Sequence, residues 1–159
     1  NRQVYKSYVA LVHGKISENL RIEANMDLAN DYDDVKMRMR ICEDGKSAVT
    51  EISPIEYFTD IDATLLRAVP LTGRQHQIRL HLFHVEHKIL GEPLYGLSRP
   101  QIEKILDKEM SEIERILTTG APRLLLHSDE ICFKFDGIEY RIKSKFDAQD
   151  EFYKLVKHG

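Results

Sequence analysis

From Val4 to Val69 the apolar residues fall into short runs with the period of a β-strand, and turn-forming residues close most of these runs. Val4–His13 is rich in Val, Tyr and Ala, contains no helix breaker and stops at Gly14, so it reads as a strand. Lys15–Ala24 is expected to pair back with it. Asn25–Asp34 carries four aspartates and two asparagines with no apolar period, the pattern of a solvated loop. Val35–Cys42, with alternating Met37, Met39 and Ile41, Ser47–Thr59 after the turn Asp44-Gly45, and Ile61–Val69 supply three more strands. A half-chain patterned this way is confined to mostly antiparallel sheet.

The second half mixes periods. Ile78, Leu82 and Val85 recur at helical spacing, which predicts a helix over Gln75–Val85 opened near Thr72-Gly73. From Pro100 to Thr119 the residues Ile102, Ile105, Leu106, Met110, Ile113, Ile116 and Leu117 trace one apolar stripe that predicts a single helix stopped at Gly120. Arg123–His127 and Glu130–Phe135 read as strands, and Asp136-Gly137 predicts a hairpin into Ile138–Lys143. Asp147 should cap a closing helix through Val156. The fold class is therefore α+β, a mainly antiparallel mixed sheet with a few flanking helices. A chain of 159 residues, 42% apolar, is expected to form a single domain over 1–159.

A formal net charge of -3 argues against holding nucleic acid by bulk positive charge, so any such contact must be local. Two cysteines are too few for a disulfide framework or a four-thiolate zinc site, and no apolar run reaches membrane-spanning length. A reducing cytoplasm with no membrane partner is the expectation. The start at Asn1 rather than Met reads as a beginning cut from something longer.

Charge reverses between Arg67 and Gly91, where Arg67, Arg74, Arg79 and Lys88 face the single acid Glu86, amid His76, His81, His84 and His87. Thr72-Gly73-Arg74 places a small residue and a cation at the expected helix start, where free N–H groups favour an anion such as phosphate. His81, His84 and His87 are spaced to share a helix face. No acidic ligand or HExxH arrangement accompanies them, however, and Arg79 and Lys88 would repel a cation, so no metal is expected.

The segment LTGRQHQIRLHLFHVEHKILGEPLYG, Leu71–Gly96, resembles almost position by position the TGR-x-HQIR-x-H-L…GHPI-x-GD-x-x-YG signature of RluA-type RNA pseudouridine synthases. Val4–Val12 is similar to the family's V-x-K-x-Y-x-A-x-V strand, Arg123–His127 to its R-L-x-L-H strand, and Gly45–Glu51 to a weaker G-K-x-A-x-T motif. Glu86, Lys88 and Glu92 depart from the usual Gly, Pro and Asp. The family's nucleophilic aspartate lies in an H-R-L-D motif upstream of the first strand, and this sequence contains no such motif.

The resemblance implies a pseudouridine synthase catalytic-domain fold, incomplete at its N-terminus. It implies an isomerase that converts uridine to pseudouridine in structured ribosomal or transfer RNA without a cofactor. Carried across residue by residue, the tyrosine at the base is Tyr8 and the basic partner of the aspartate is Arg79; Lys6, Arg74, His76 and Gln77 are expected to face RNA. An arginine guanidinium stays cationic in proteins, so Arg79 would orient and stabilise rather than act as a base. Tyr8 would offer an aromatic face to an unstacked uracil and a hydroxyl near C5. The chain alone is expected to be inactive, its partner being the missing N-terminal segment of the same protein. The alternative is a degenerate RNA-binding module that does no chemistry.

Overall fold

A computed structural model describes residues 4–29 and 38–157. Its main sheet has six strands: β1 (Tyr5–His13), β2 (Leu20–Glu23), β5 (Val49–Phe58), β6 (Ala63–Pro70), β7 (Leu126–Phe135) and β8 (Ile138–Lys143), in the order β2-β5-β6-β1-β7-β8. A separate two-stranded hairpin joins β3 (Met26–Leu28) to β4 (Met39–Ile41). Every pairing of these strands is antiparallel. Four helices complete the described chain: α1 (Gln77–His84), α2 (Arg99–Leu106), α3 (Glu112–Thr119) and α4 (Ala148–Lys157). The α+β class and the antiparallel sheet expected from the sequence are both present.

The strand β1 sits at the centre because Val9, Ala10, Leu11 and Val12 are all buried, a continuous apolar run that needs cover on both faces. Its edges are taken by β6, with Leu11 opposite Leu65, and by β7, with Val9 opposite His127. The pairing expected for Lys15–Ala24 therefore does not form. β2 crosses to the outer edge of β5 instead, Leu20 opposite Ile52 and Glu23 opposite Val49. Within the expected loop Asn25–Asp34, Met26–Leu28 is strand, and Met26 is fully buried. Residues 30–34 of that loop and 35–37 of the strand expected after it lie outside the described residues.

Two cores flank α1. Ile78 and Leu82 pack into the main cluster with Leu11, Ile52, Leu65 and Phe152 of α4. Leu80 turns to a smaller cluster with Met26, Met39, Tyr95 and Ile102. Buried on both sides, α1 is fixed against the sheet and carries the candidate residues of its first turn with it. It starts at Gln77, after the expected opening at Thr72-Gly73, with His76 as N-cap at φ 54.

The stripe expected as one helix over Pro100–Thr119 is two. Asp107 ends α2, Lys108 turns the backbone to φ 59, and Ser111 opens α3 in a capping box with Glu114. Ile113 and Leu117, counted in the stripe, are exposed. The two strands expected from Arg123 to Phe135 are a single one that begins at Leu126 and is interrupted by a bulge at Asp129, while Asp136-Gly137 and β8 fall where the turn chemistry put them. Gly91 (φ +78), after α1, passes so close to the stretch just before β7 that an added Cβ would lie 1.8 Å from the Arg123 carbonyl oxygen. Asp147 accepts from the Asp150 N–H at the start of α4, as expected.

Candidate active site

The turn between β6 and α1 is tied down by Gln77, which is 3% exposed. Its Oε1 accepts from the Thr72 hydroxyl (2.7 Å) and the Arg74 N–H (3.0 Å), and its Nε2 donates to the Val49 carbonyl (2.9 Å) and the Thr50 hydroxyl (3.0 Å). All four hydrogen-bonding positions of the amide are used within the fold. Gln77 therefore ties the turn to β5 from within the fold.

The network continues inward to His81, which is fully buried. The Ala24 carbonyl can only accept, so Nε2 of His81 carries the proton at 3.0 Å and Nδ1 accepts from the Thr50 hydroxyl at 2.9 Å. Burial lowers the pKa of His81 below the ordinary imidazole value, the Ala24 bond opposing and the nearby His84 adding to the effect. Each donor in the series from Thr72 through Gln77 and Thr50 to His81 thus has one acceptor. The histidines weighed above as metal ligands are also accounted for in part: His81 binds Thr50 and Ala24, and His87 binds the His13 carbonyl through Nδ1 at 2.9 Å. Among the described residues no group of His, Cys, Asp and Glu is arranged to hold a metal ion.

On this frame rests a cleft of about 1200 Å³. Lys6 and Tyr8 of β1, Arg74 of the turn, and His76, Gln77 and Arg79 at the start of α1 all line it. The six residues singled out in the sequence, drawn from segments about seventy positions apart, are thereby brought together. Lys6 and Tyr8 are two apart on one strand and so share a face. Opposite them stand residues that the sequence did not single out, Phe133 and Lys134 of β7 and Glu139 of β8, placed there by the register Tyr5 to Cys132 and Lys6 to Ile131. The bulge at Asp129 falls between the partners of Ser7 and Tyr8, where Asp129 lies 3.6 Å from Arg67.

The closest electrostatic contact in the cleft wall also went unrecognised in the sequence. Arg79 donates through Nε and Nη2 to the two carboxylate oxygens of Glu92, at 2.8 and 2.6 Å, a bidentate pair with Arg79 13% exposed and Glu92 fully buried. Glu92 also accepts from the Leu94 N–H at 2.9 Å. The sequence offered a signal for this, since Glu92 stands where the family signature has its own acid. The Arg79 guanidinium lies 5.5 Å from the centre of the Tyr95 ring, whose hydroxyl accepts from the Met39 N–H and meets His76 Nδ1, both at 3.2 Å. Burial lowers the His76 pKa, with Arg79 adding to the effect and Glu92 opposing it, and burial raises that of Tyr95. The wall so formed offers cations from Lys6, Arg74, Arg79 and Lys134 beside the phenol of Tyr8, suited to an anionic ligand with an aromatic ring.

Residues 1–84 match the family described as RNA pseudouridylate synthase. The chain is 36% identical over 144 residues to an uncharacterized RNA pseudouridine synthase of Helicobacter pylori, covering 90% of this chain and 46% of that protein. It is 33% identical over 150 residues to the ribosomal large subunit pseudouridine synthase C of Haemophilus influenzae, covering 93% of this chain and 42% of that one. The chain thus spans about half the length of the curated relatives it matches. Its fold is similar to that of human RNA pseudouridylate synthase domain containing 1, with a TM-score of 0.68 over 98% of this chain and 66% of that one, at 18% identity. Since the family match takes in more than half of the sequence and the fold agrees, the chain belongs to the RNA pseudouridylate synthase family, in the RluA type that its Thr72–Gly96 segment resembles.

Proposed function

We propose that the chain is the uridine-holding part of a cytoplasmic pseudouridine synthase acting on structured RNA, and that the nucleophilic aspartate comes from a segment of the same protein outside this chain. The observation that carries the reading is the convergence of Tyr8 and Arg79 on one cleft with the cations of Lys6, Arg74 and Lys134. The relative from Haemophilus influenzae is named for the ribosomal large subunit, which favours ribosomal RNA as the substrate over transfer RNA.

The isomerisation breaks the bond from uracil N1 to ribose C1′, turns the base within the site and forms a bond from C5 to C1′. The proton leaves C5 and N1 gains one, so nothing is oxidised and no cofactor is required. Glu92 grips Nε and Nη2 of Arg79 and fixes the plane of the guanidinium, and among the described residues Nη1 has no partner. That edge would keep an incoming aspartate ionised in a site from which the nucleotide excludes water. Tyr8 would stack against the base and assist departure of the C5 proton, with Lys6, Arg74 and His76 on the flanking backbone.

The test uses RNA tritiated at uridine C5. The complete protein should release tritium, and Tyr8→Phe should cut the rate about a hundredfold or more while RNA affinity stays within about twofold. Full release by Tyr8→Phe would remove the tyrosine from the chemistry. This chain by itself should release none, and release by the pure chain would refute the placing of the nucleophile elsewhere. If the complete protein binds RNA and releases nothing, it is a binding module.

A further inference from the structure

Behind the wall of the first cleft lies a second, of about 730 Å³, between the β3–β4 hairpin and the outer face of α1. Its volume is that of an ordinary ligand site. The two clefts share a partition: Tyr95 lines the second, while its hydroxyl reaches His76, which lines the first. Tyr95 is itself covered by Phe83, ring centres 6.0 Å apart and planes 28° from parallel. Phe83 is nevertheless 37% exposed, an aromatic ring on a helix whose other large apolar residues are buried.

Around this ring stand Arg38 and Arg40 of the hairpin arm and Lys88 after α1, against Glu86 alone among the acidic residues lining the cleft. Among the described residues none of the three cations has a carboxylate within 4.0 Å. Asp27, which faces Arg40 in register, has one carboxylate oxygen engaged by the N–H of Leu28. The absence of a side chain at Gly96 leaves room for the ring, since a Cβ there would lie 2.9 Å from Phe83, with the Lys88 Nζ at an ordinary contact distance of 3.6 Å. An exposed ring bordered by cations that have no carboxylate partner among the described residues is what binds single-stranded nucleic acid: every base has a face to stack, and every phosphate a charge to neutralise.

The geometry points to this second cleft as a nucleotide subsite, in which a base of the RNA strand outside the target uridine stacks on Phe83 and its phosphates pair with Arg38, Arg40 and Lys88. The inference rests on the RNA reading of the first cleft, and extends it to a place on the molecule that the uridine does not reach. It makes Tyr95 the common wall of two neighbouring nucleotide sites.

The probe is a fluorescein-labelled single-stranded RNA 12-mer, with its affinity followed by anisotropy across a salt series. Phe83→Ala should weaken binding about tenfold, the loss of one stacked base. Arg40→Ala and Lys88→Ala should each lower the slope of log affinity against log salt by about 0.7, the loss of one phosphate contact on a single strand. Phe83→Leu, which keeps an apolar side chain against Tyr95, should melt with the parent protein and still bind weakly, so that loss of folding is separated from loss of stacking. If these variants keep parental affinity and salt slope while Lys6→Ala and Arg74→Ala lose both, the second cleft is not a subsite and the RNA reading of the first stands. If the parent protein binds structured ribosomal RNA but not the 12-mer at any salt, the subsite falls and the reading of the first cleft stands; if it binds neither, both fall.

Discussion

Gln77 and His81 are four residues apart on α1 and point to the same place, the hydroxyl of Thr50. A reading of the His-Gln-Ile-Arg string as a row of RNA contacts hides this, because residue type suggests hydrogen bonds without saying to what. Helical spacing separates the roles better: Gln77 and His81 share the inward face, while His76 and Arg79 reach the cleft. Thr50, from the weaker Gly45–Glu51 motif, is the partner that joins two motifs far apart in sequence, and no local pattern could have shown that. The neutral His81 gives the molecule a pH signature. Burial depresses the folded-state pKa of His81, and likewise those of His76 and His13, below the value of about 6.5 held by a free imidazole. The unfolded chain therefore takes up protons first, and stability present above about pH 6.5 drains away as pH falls towards the folded-state values. His81→Ala strands the Ala24 carbonyl and the Thr50 hydroxyl, and should cost about 2 kcal/mol at neutral pH. Its melting temperature should then fall less steeply than the parent's between about pH 7.5 and about pH 5.5. Parallel curves for the two proteins would mean that another group carries the titration.

The element scale shows where residue-type signals were read and where they were passed over. The end of α1 is a Schellman turn, with the Glu86 N–H donating to the Phe83 carbonyl at 3.1 Å and the His87 N–H to the Leu82 carbonyl at 2.9 Å. Glu86 occupies its left-handed position at φ 65, and this explains why the family signature has glycine there. Glu86→Gly should stabilise the chain by about 0.5–1 kcal/mol, relief of backbone strain exceeding the added freedom of the unfolded glycine. A thermal melt would measure it, and an unchanged or lower midpoint would show that the glutamate side chain makes a compensating contact. The break between α2 and α3 was legible in the same terms, since Ser98-x-x-Gln101 and Ser111-x-x-Glu114 are both capping boxes. A continuous apolar stripe outweighed the second of them in the sequence. It should not have, because Ile113 and Leu117 contribute nothing to the core.

For the molecule as a whole, alternation and turn chemistry made the antiparallel sheet legible, but not the order of its strands. Strand order depends on which edges of β1 remain open, and that is settled by packing across the sheet rather than along the chain. With β6 and β7 on either side of β1, the open edge beside the cleft is β8. All six of its residues are exposed, and Ile138, Tyr140 and Ile142 alternate along it as apolar side chains facing one way. Natural edge strands are usually short, charged or covered; this one carries Glu139, Arg141 and Lys143 between its apolar residues, and among the described residues its outer backbone edge is unpaired. If the segment that supplies the aspartate docks beside the cleft, β8 is the place where it would add a strand. Amide hydrogen exchange distinguishes the cases: β8 amides that point away from β7 should exchange quickly in this chain alone and be protected in the complete protein, with Tyr140 and Ile142 buried. Equal exchange in both would put the upstream segment elsewhere and leave the aspartate to reach Arg79 from a loop that does not extend the sheet.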